Sequence, residues 1–496
     1  MKTNRLMLCV LLSGMSLMKK DVFCLLGKAL RRSDAATLRH NGVLTFVSIV
    51  VFAVSAAIVT FAPNAWGDTI LHNFAGTPDG AYAYGTLVND KYGNLYGTTV
   101  NGGTHGYGTV FVLCAPGAAA PDLHPCTTGL GVWTEFVLYN FKGPSFGDGA
   151  FPNGTLVFNG LYAGRKFTLY GTTSNGGSAK VCRVANGVSG CGTVFEVCAP
   201  SNFGGCGGVN QWKEHVLHTF LGGNDGEYPF GGVITDKASD LFGTTVWGGH
   251  QGTCVSGYVN IYCGTVFKLK GQSPWNFPET ILHRFKGSPN DGANPYASLC
   301  CSTIYTIPYL YGTTANGGAS NKGTVFKVKN SGAFPETVLH GFTGTPDGAN
   351  PFANVIFDSS GNLYGTTYAG GVNSEGLVFE LVAPLLTTET PLYSFCPLAG
   401  CADGANPEAG LLFDTAGNLY GTTFSGGTGC GGSCGTVFML PPSLVESVLY
   451  SFVGGTGDGA NPFAGVIYDT PVAPGVLYGV TTASGSSSSG VAFSQP

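Results

Sequence analysis

The chain is 496 residues long, with 79 Gly, only 10% charged residues and a formal net charge of −5. Gly far above its usual ~7% excludes a protein of long helices, and 44% hydrophobic residues exclude a disordered one. The acidic balance argues against a basic, nucleic-acid-binding surface.

Residues 1–67 differ from the rest. Eight Lys/Arg (Lys2, Arg5, Lys19, Lys20, Lys28, Arg31, Arg32, Arg39) stand there against Asp21 and Asp34, and an uncharged apolar run of 20 residues, Val43 to Ala62, follows. A basic region, an apolar region and small residues at Ala65 and Gly67 predict an export signal with cleavage before Asp68. The run is also long enough, at about 1.5 Å per residue, to stay as a membrane anchor. Met15 or Met18 is an alternative start, Cys9 lies in a poor lipidation box, and Arg31-Arg32 lacks the apolar residue of a twin-Arg signal. Cleaved or retained, the leader predicts a secreted or extracytoplasmic protein, in the periplasm or at the cell surface, whose only membrane contact is this segment. Without the leader the formal net charge is −11.

From Thr69 onward one unit recurs seven times, most clearly as PETVLHGFTGTPDGANPFANVIFDSSGNLYGTTYAGGVNSEGLVFEL, Pro335 to Leu381. Its LYG leucines are Leu95, Leu169, Leu310, Leu363, Leu419 and Leu477, with Leu241 in a variant LFG. In the unit quoted, ETVLHGF reads as a strand rich in β-branched residues and DGANP as a turn. FANVIFD is the next strand, DSSGN a hairpin, LYGTT a third strand, and GLVFEL a fourth after a Gly-Gly turn. Four strands per unit of about 50 residues is a β-propeller blade. The first ILHNF precedes every other strand of its unit, and the last unit stops where such a strand would follow. The fold class predicted is therefore all-β: residues 68–496 form one seven-bladed propeller of four-stranded antiparallel blades, closed by the N-terminal strand completing the last blade. Asp68 stands where the other units open with Glu135, Glu214, Glu279, Glu336, Glu389 or Glu446.

GNLYGTT, the Gly-Gly pairs and GTVF in tandem resemble the GloVer repeat of the choice-of-anchor tandem repeat proteins, across residues 69–496. The resemblance implies an extracytoplasmic bacterial protein, often with a C-terminal sorting anchor, and no established activity. Here only Ser494-Gln495-Pro496 follows the last unit, so no such anchor is expected. A weaker likeness to kelch propellers rests on the Gly-Gly pairs alone.

Asp79, Asp148, Asp225, Asp291, Asp347, Asp403 and Asp458 occupy equivalent Asp-Gly turns. A Ca²⁺ ring is conceivable, but each turn offers a single carboxylate, and Asp capping its own turn accounts for the pattern. His72, His218, His283 and His340 share one position with Tyr139, Tyr393 and Tyr450, an exchange that suits a packed ring with one polar edge rather than a metal ligand. No metal or cofactor is expected. The phenylalanines of GTVF and its variants, Phe111 to Phe493, are expected in the core.

Fourteen cysteines follow the leader. Local pairing predicts disulfides Cys114–Cys126, Cys182–Cys191, Cys198–Cys206, Cys254–Cys263, Cys396–Cys401 and Cys430–Cys434. Cys300 and Cys301 form either a vicinal bond or two free thiols.

Departures from the repeat suggest where function lies. Blades 2 and 3 enlarge the same turn, adding Lys180 and Arg183 in one and Trp247, His250, Tyr258 and Tyr262 in the other. Aromatics beside cations suit a glycan or an anionic ligand. The expectation is a monomeric binding module for a glycan or a protein; the alternative is a lyase or hydrolase working at the axial channel.

Overall fold

The computed structural model describes residues 69–495 apart from 118–124, 127–130, 160–166, 180–181, 183–187, 202–206, 237, 250–253, 255–261, 272–276, 301–308, 331–335 and 470–474. The predicted leader, with its apolar segment 43–62, and Asp68 lie outside these residues. The fold is an all-β propeller of seven blades, with no α-helix among the described residues. Blade 5 is representative: Ile356–Phe357, Leu363–Thr367, Leu377–Leu381 and Glu389–Ser394 pair in that order, every pair antiparallel. In blade 4 the described residues give three strands, and an isolated bridge between Cys300 and Tyr311 stands where the innermost strand pairs elsewhere.

Each letter of the recurring phrase has a physical task. In SSGNLYGTT of blade 5, Asn362 bonds Asp358 across the hairpin and accepts from the Ala383 backbone N–H. Leu363 is fully buried, and the Tyr364 hydroxyl donates to Asp358. Gly365 lies flat beneath Phe379; a Cβ there would stand 2.6 Å from the ring. The Thr366 hydroxyl donates 2.9 Å to the Ala409 carbonyl of blade 6, and the same bond links blades 2 to 3, 3 to 4, 4 to 5 and 6 to 7. The second threonine works inside the blade. In blade 6, for example, Thr423 shares a hydrogen bond with Thr436 of the next strand at 2.8 Å.

The blades adhere through phenylalanine. The ring at the end of each outermost strand meets the GTVF-type ring of the next blade edge-on. The seven pairs are Phe74–Phe111, Phe141–Phe195, Phe220–Phe267, Phe285–Phe326, Phe342–Phe379, Phe395–Phe438 and Phe452–Phe493, with centroids 5.0 to 5.2 Å apart. All fourteen rings are fully buried, as expected for the GTVF phenylalanines. A bulge in each outermost strand, at Leu339 between Val338 and His340 in blade 4, buries the leucine between blades and turns the histidine toward the crossover.

Closure follows the predicted scheme. The N-terminal strand Thr69–Asn73 pairs with Val491–Gln495 and supplies the outermost strand of blade 7. Ser494 and Gln495 pair with Tyr478 and Leu477 and are buried.

Five of the predicted disulfides join described residues: Cys114–Cys126, Cys182–Cys191, Cys254–Cys263, Cys396–Cys401 and Cys430–Cys434. Cys198 and Cys300 are also disulfide-bonded; Cys206 and Cys301 lie outside the described residues. Five disulfides suit an oxidising, extracytoplasmic environment. Among the described residues no helix is long and apolar enough to cross a membrane.

Deleting Thr69 through Phe74 should remove the outermost strand of blade 7 and one of the seven ring contacts, leaving an unpaired sheet edge. The expected result is aggregation and loss of a single cooperative melt, read by calorimetry and size-exclusion chromatography. A deletion variant that melts like the parent would contradict ring closure.

Candidate functional site

Two sets of polar groups recur round the ring. In the first, the Asp-Gly aspartate caps its turn as expected: Asp347 accepts from the backbone N–H groups of Thr343 and Gly348 at 2.8 and 2.7 Å. His340 reaches the same carboxylate at 3.3 Å, and Tyr139 and Tyr393 do so with their hydroxyls at 2.8 and 3.0 Å in other blades. His and Tyr therefore do one job, as their interchange in the sequence suggests. The second carboxylate was not anticipated. Glu389, from the outermost strand of the next blade, joins His340 and Asp347, and four such His–Asp–Glu groups keep their ligand atoms within 4.8 Å.

This geometry resembles a metal site, yet both oxygens of Asp347 are already occupied by N–H donors, and Tyr replaces His elsewhere. It is better described as a clamp between blades. Burial, and then the neighbouring aspartate, push the glutamates up: Glu135 and Glu389 to about 7, Glu214 and Glu446 to about 8. Burial and a hydrogen bond to Asp225 raise Glu279 to about 10. A further group, Glu196, Cys198 and His215, cannot supply a thiolate because Cys198 is disulfide-bonded.

The crossovers between blades run over one face, from the outermost strand inward to the axis. The described cysteines of the enlarged turns of blades 2 and 3 lie on this face, beside the Asp-Gly turns. The Cys182–Cys191 bridge packs over Gly222, ahead of Asp225, and Cys254–Cys263 over Gly287, ahead of Asp291. Of the candidate ligand residues, Lys180, Arg183, His250 and Tyr258 lie outside the described residues. Tyr262 is half-buried beside Cys263.

Trp247 is held by a two-way backbone bridge to Glu227, with N···O distances of 2.9 and 3.1 Å. Its ring stacks on Tyr228 at 4.5 Å, and Tyr228 stacks on Phe230 at 6.1 Å. Tyr228 occupies the left-handed region at φ 62°. Blades 4 to 7 place Asn294, Asn350, Asn406 and Asn461 there, a residue that tolerates this conformation, and each amide bonds a carbonyl of the preceding blade. Blades 1 to 3 instead hold Tyr82, Phe151 and Tyr228, bulky rings at a strained backbone.

The crossovers end in a collar at the axis. The residue after each turn reaches the channel mouth: Tyr84, Asn153, Phe230, Tyr296, Phe352, Glu408 and Phe463, around about 430 Å³ of open space. Phe352 was expected to open a strand of FANVIFD, but only Ile356–Phe357 pairs. Near the axis seven chains converge, so FAN runs across the face and its ring turns to the mouth. Phe230 of blade 3 touches Tyr296 at 5.5 Å and Phe463 of blade 7 at 5.9 Å, spanning the axis, while Phe463 meets Tyr84 at 4.7 Å. Asn153 bends away to bond Phe151 and Ser174. Glu408 is half-buried, has no hydrogen bond or ion pair among the described residues, and burial alone pushes its carboxyl up to about 7. Its charge is felt by Tyr84 and Tyr368, whose hydroxyls are raised by burial first. The signal for this site was in the sequence, as Glu where other units place an aromatic after the turn, but it is a substitution rather than an inserted loop.

Residues 251–493 match the Gloeobacter/Verrucomicrobia repeat family. Over that stretch the repeat is the Gloeobacter/Verrucomicrobia repeat. Units before residue 251 carry the same LYGTT and GTVF phrases. No curated protein matches the chain. Among solved structures, an ancestral GH74 enzyme is similar over 84% of this chain, at 8% identity and a TM-score of 0.48; this chain spans 47% of that one. A PL25 polysaccharide lyase, an ulvan lyase, is similar over 86% of this chain and 94% of its own, at 9% identity and a TM-score of 0.46. A protein of unknown function from Dyadobacter fermentans is similar over 86% and 97%, at 8% identity and a TM-score of 0.41. These likenesses concern the fold alone.

The clamp predicts a pH dependence. A carboxyl raised on folding stabilises the fold fully below its unfolded value, and that contribution is lost as pH climbs through the folded one. For these glutamates the window opens at 4.5 and closes between about 7 and about 10. Asp79, Asp225 and Asp347 are lowered despite burial, by their histidines and by N–H donors, so their contribution is lost as pH falls below 3.8. The melting temperature should peak at mildly acid pH and decline toward alkaline pH, read by calorimetry. Glu279→Gln should weaken the decline; a melting temperature that rises with pH would contradict the clamp.

Proposed function

We propose that the protein is an exported binding module that takes a glycan across its crossover face. The sugars would lie along Trp247, Tyr228 and Phe230 on the way to the axis. The observation that carries this reading is the ladder of three stacked rings, with Tyr228 set in a left-handed backbone that blades 4 to 7 give to asparagine. A bulky residue in that conformation costs about 1–3 kcal/mol, and such strain collects at ligand-binding sites. Flat apolar rings with polar neighbours suit sugar faces.

A hydrolase or lyase at the axis is the second reading, favoured by the raised carboxyl of Glu408. Hydrolysis ordinarily needs a second carboxylate, and the nearby Glu375 is tied to Asn406 at 3.1 Å. Binding without turnover is therefore the stronger proposal.

A glycan array with the purified chain should identify the ligand. Trp247→Ala should then weaken it by about 2 kcal/mol, roughly thirtyfold, in calorimetric titration. Tyr309→Ala, at the opposite end of its strand from the crossover face, should leave affinity unchanged. Equal binding by both variants would move the site away from the ladder, and release of shorter sugars during titration would favour the enzyme.

A further inference from the structure

We propose that the axial collar is a second site, for an alkylammonium cation (a quaternary or protonated amine) held against the ring faces with Glu408 as its counter-charge. The site stands independently of the glycan reading, since it needs neither Trp247 nor the blade 2 and 3 loops.

The chemistry of the lining singles out this class. Phe230, Tyr296, Phe352 and Phe463 stand half-buried round the mouth, linked by ring contacts of 5.3 to 5.9 Å. Ring faces carry partial negative charge and attract a cation within about 6 Å. No Lys or Arg lines the mouth among the described residues, and nothing there neutralises Glu408. An anion would meet a carboxylate and electron-rich rings. A hard divalent metal would need several oxygen ligands, and the collar presents one carboxylate. A neutral sugar would leave the carboxylate's charge uncompensated. An ammonium with an alkyl coat matches the apolar wall and the single charge together.

Nor does the fold require a carboxylate at this position. Five blades place Tyr or Phe at the equivalent residue and close the same way, so Glu408 departs from the repeat without a packing reason.

Choline and its uncharged carbon isostere, dimethylbutanol, have the same shape and differ in charge. Titration calorimetry of the whole chain should show choline binding at least about tenfold tighter than the isostere. Glu408→Gln should lower that preference severalfold with the melting temperature held. Glu408→Phe, which restores the residue of other blades, should lower it severalfold, to what the rings alone supply, and guards against a folding defect in the first variant. Trp247→Ala should leave choline binding intact, so failure of the glycan reading and failure of this one are separable. Choline binding no tighter than the isostere, or unchanged by both Glu408 substitutions, would overturn the proposal.

Discussion

One contact organises the molecule: the edge of a phenylalanine ring at the end of each outermost strand set against the GTVF ring of the next blade. Each pair contributes about 0.5–1.5 kcal/mol beyond its buried area. Glycine in LYG follows from it, because any side chain there would collide with the ring lying above. The bulge follows as well, since it lets Leu339 enter the same interface while His340 turns to the crossover. An open array would leave one such ring unpartnered at each end. The strand Thr69–Asn73, leading into Phe74, removes that defect by completing blade 7 and facing Phe74 to Phe111.

Polar groups then refine an assembly that apolar packing has already made. The first threonine of GTT reaches a carbonyl in the next blade, and the buried glutamates and Asp-Gly aspartates meet across the blade boundary. These groups tie the crossovers in place, and the crossovers carry everything of functional interest. Rings, strained backbone and an unpaired carboxylate collect on the one face where chain is free of ladder hydrogen bonding. A propeller separates tasks in this way: strands hold the ring, and the residues that link them are free to vary.

The departures from the repeat fall into two kinds. Enlarged turns, such as those of blades 2 and 3, are visible as added length and added cysteines. Substitutions inside a constant frame are quieter, and the collar is made of them. Glu408 replaces an aromatic, Asn153 another, and Tyr228 an asparagine, with no change in spacing.

Strand number, blade number, ring closure and the five described disulfides were legible in the chain, because each depends on residues close in sequence or on a unit that recurs. LYGTT carries its periodicity in plain view, and Cys430 and Cys434 are four residues apart. The collar and the His–Asp–Glu clamps were not legible. Phe230 and Phe463 belong to opposite blades and meet only when the seven units close. Glu389 reaches His340 only because one blade lies against the next. Phe352 was assigned to a strand on its apolar neighbours, and the narrowing toward the axis decided otherwise. Local sequence thus determined the blade and its repetition, since hairpins and turns are short-range. The tertiary structure alone decided what the crossover face presents, since that face is assembled from residues that only ring closure brings together.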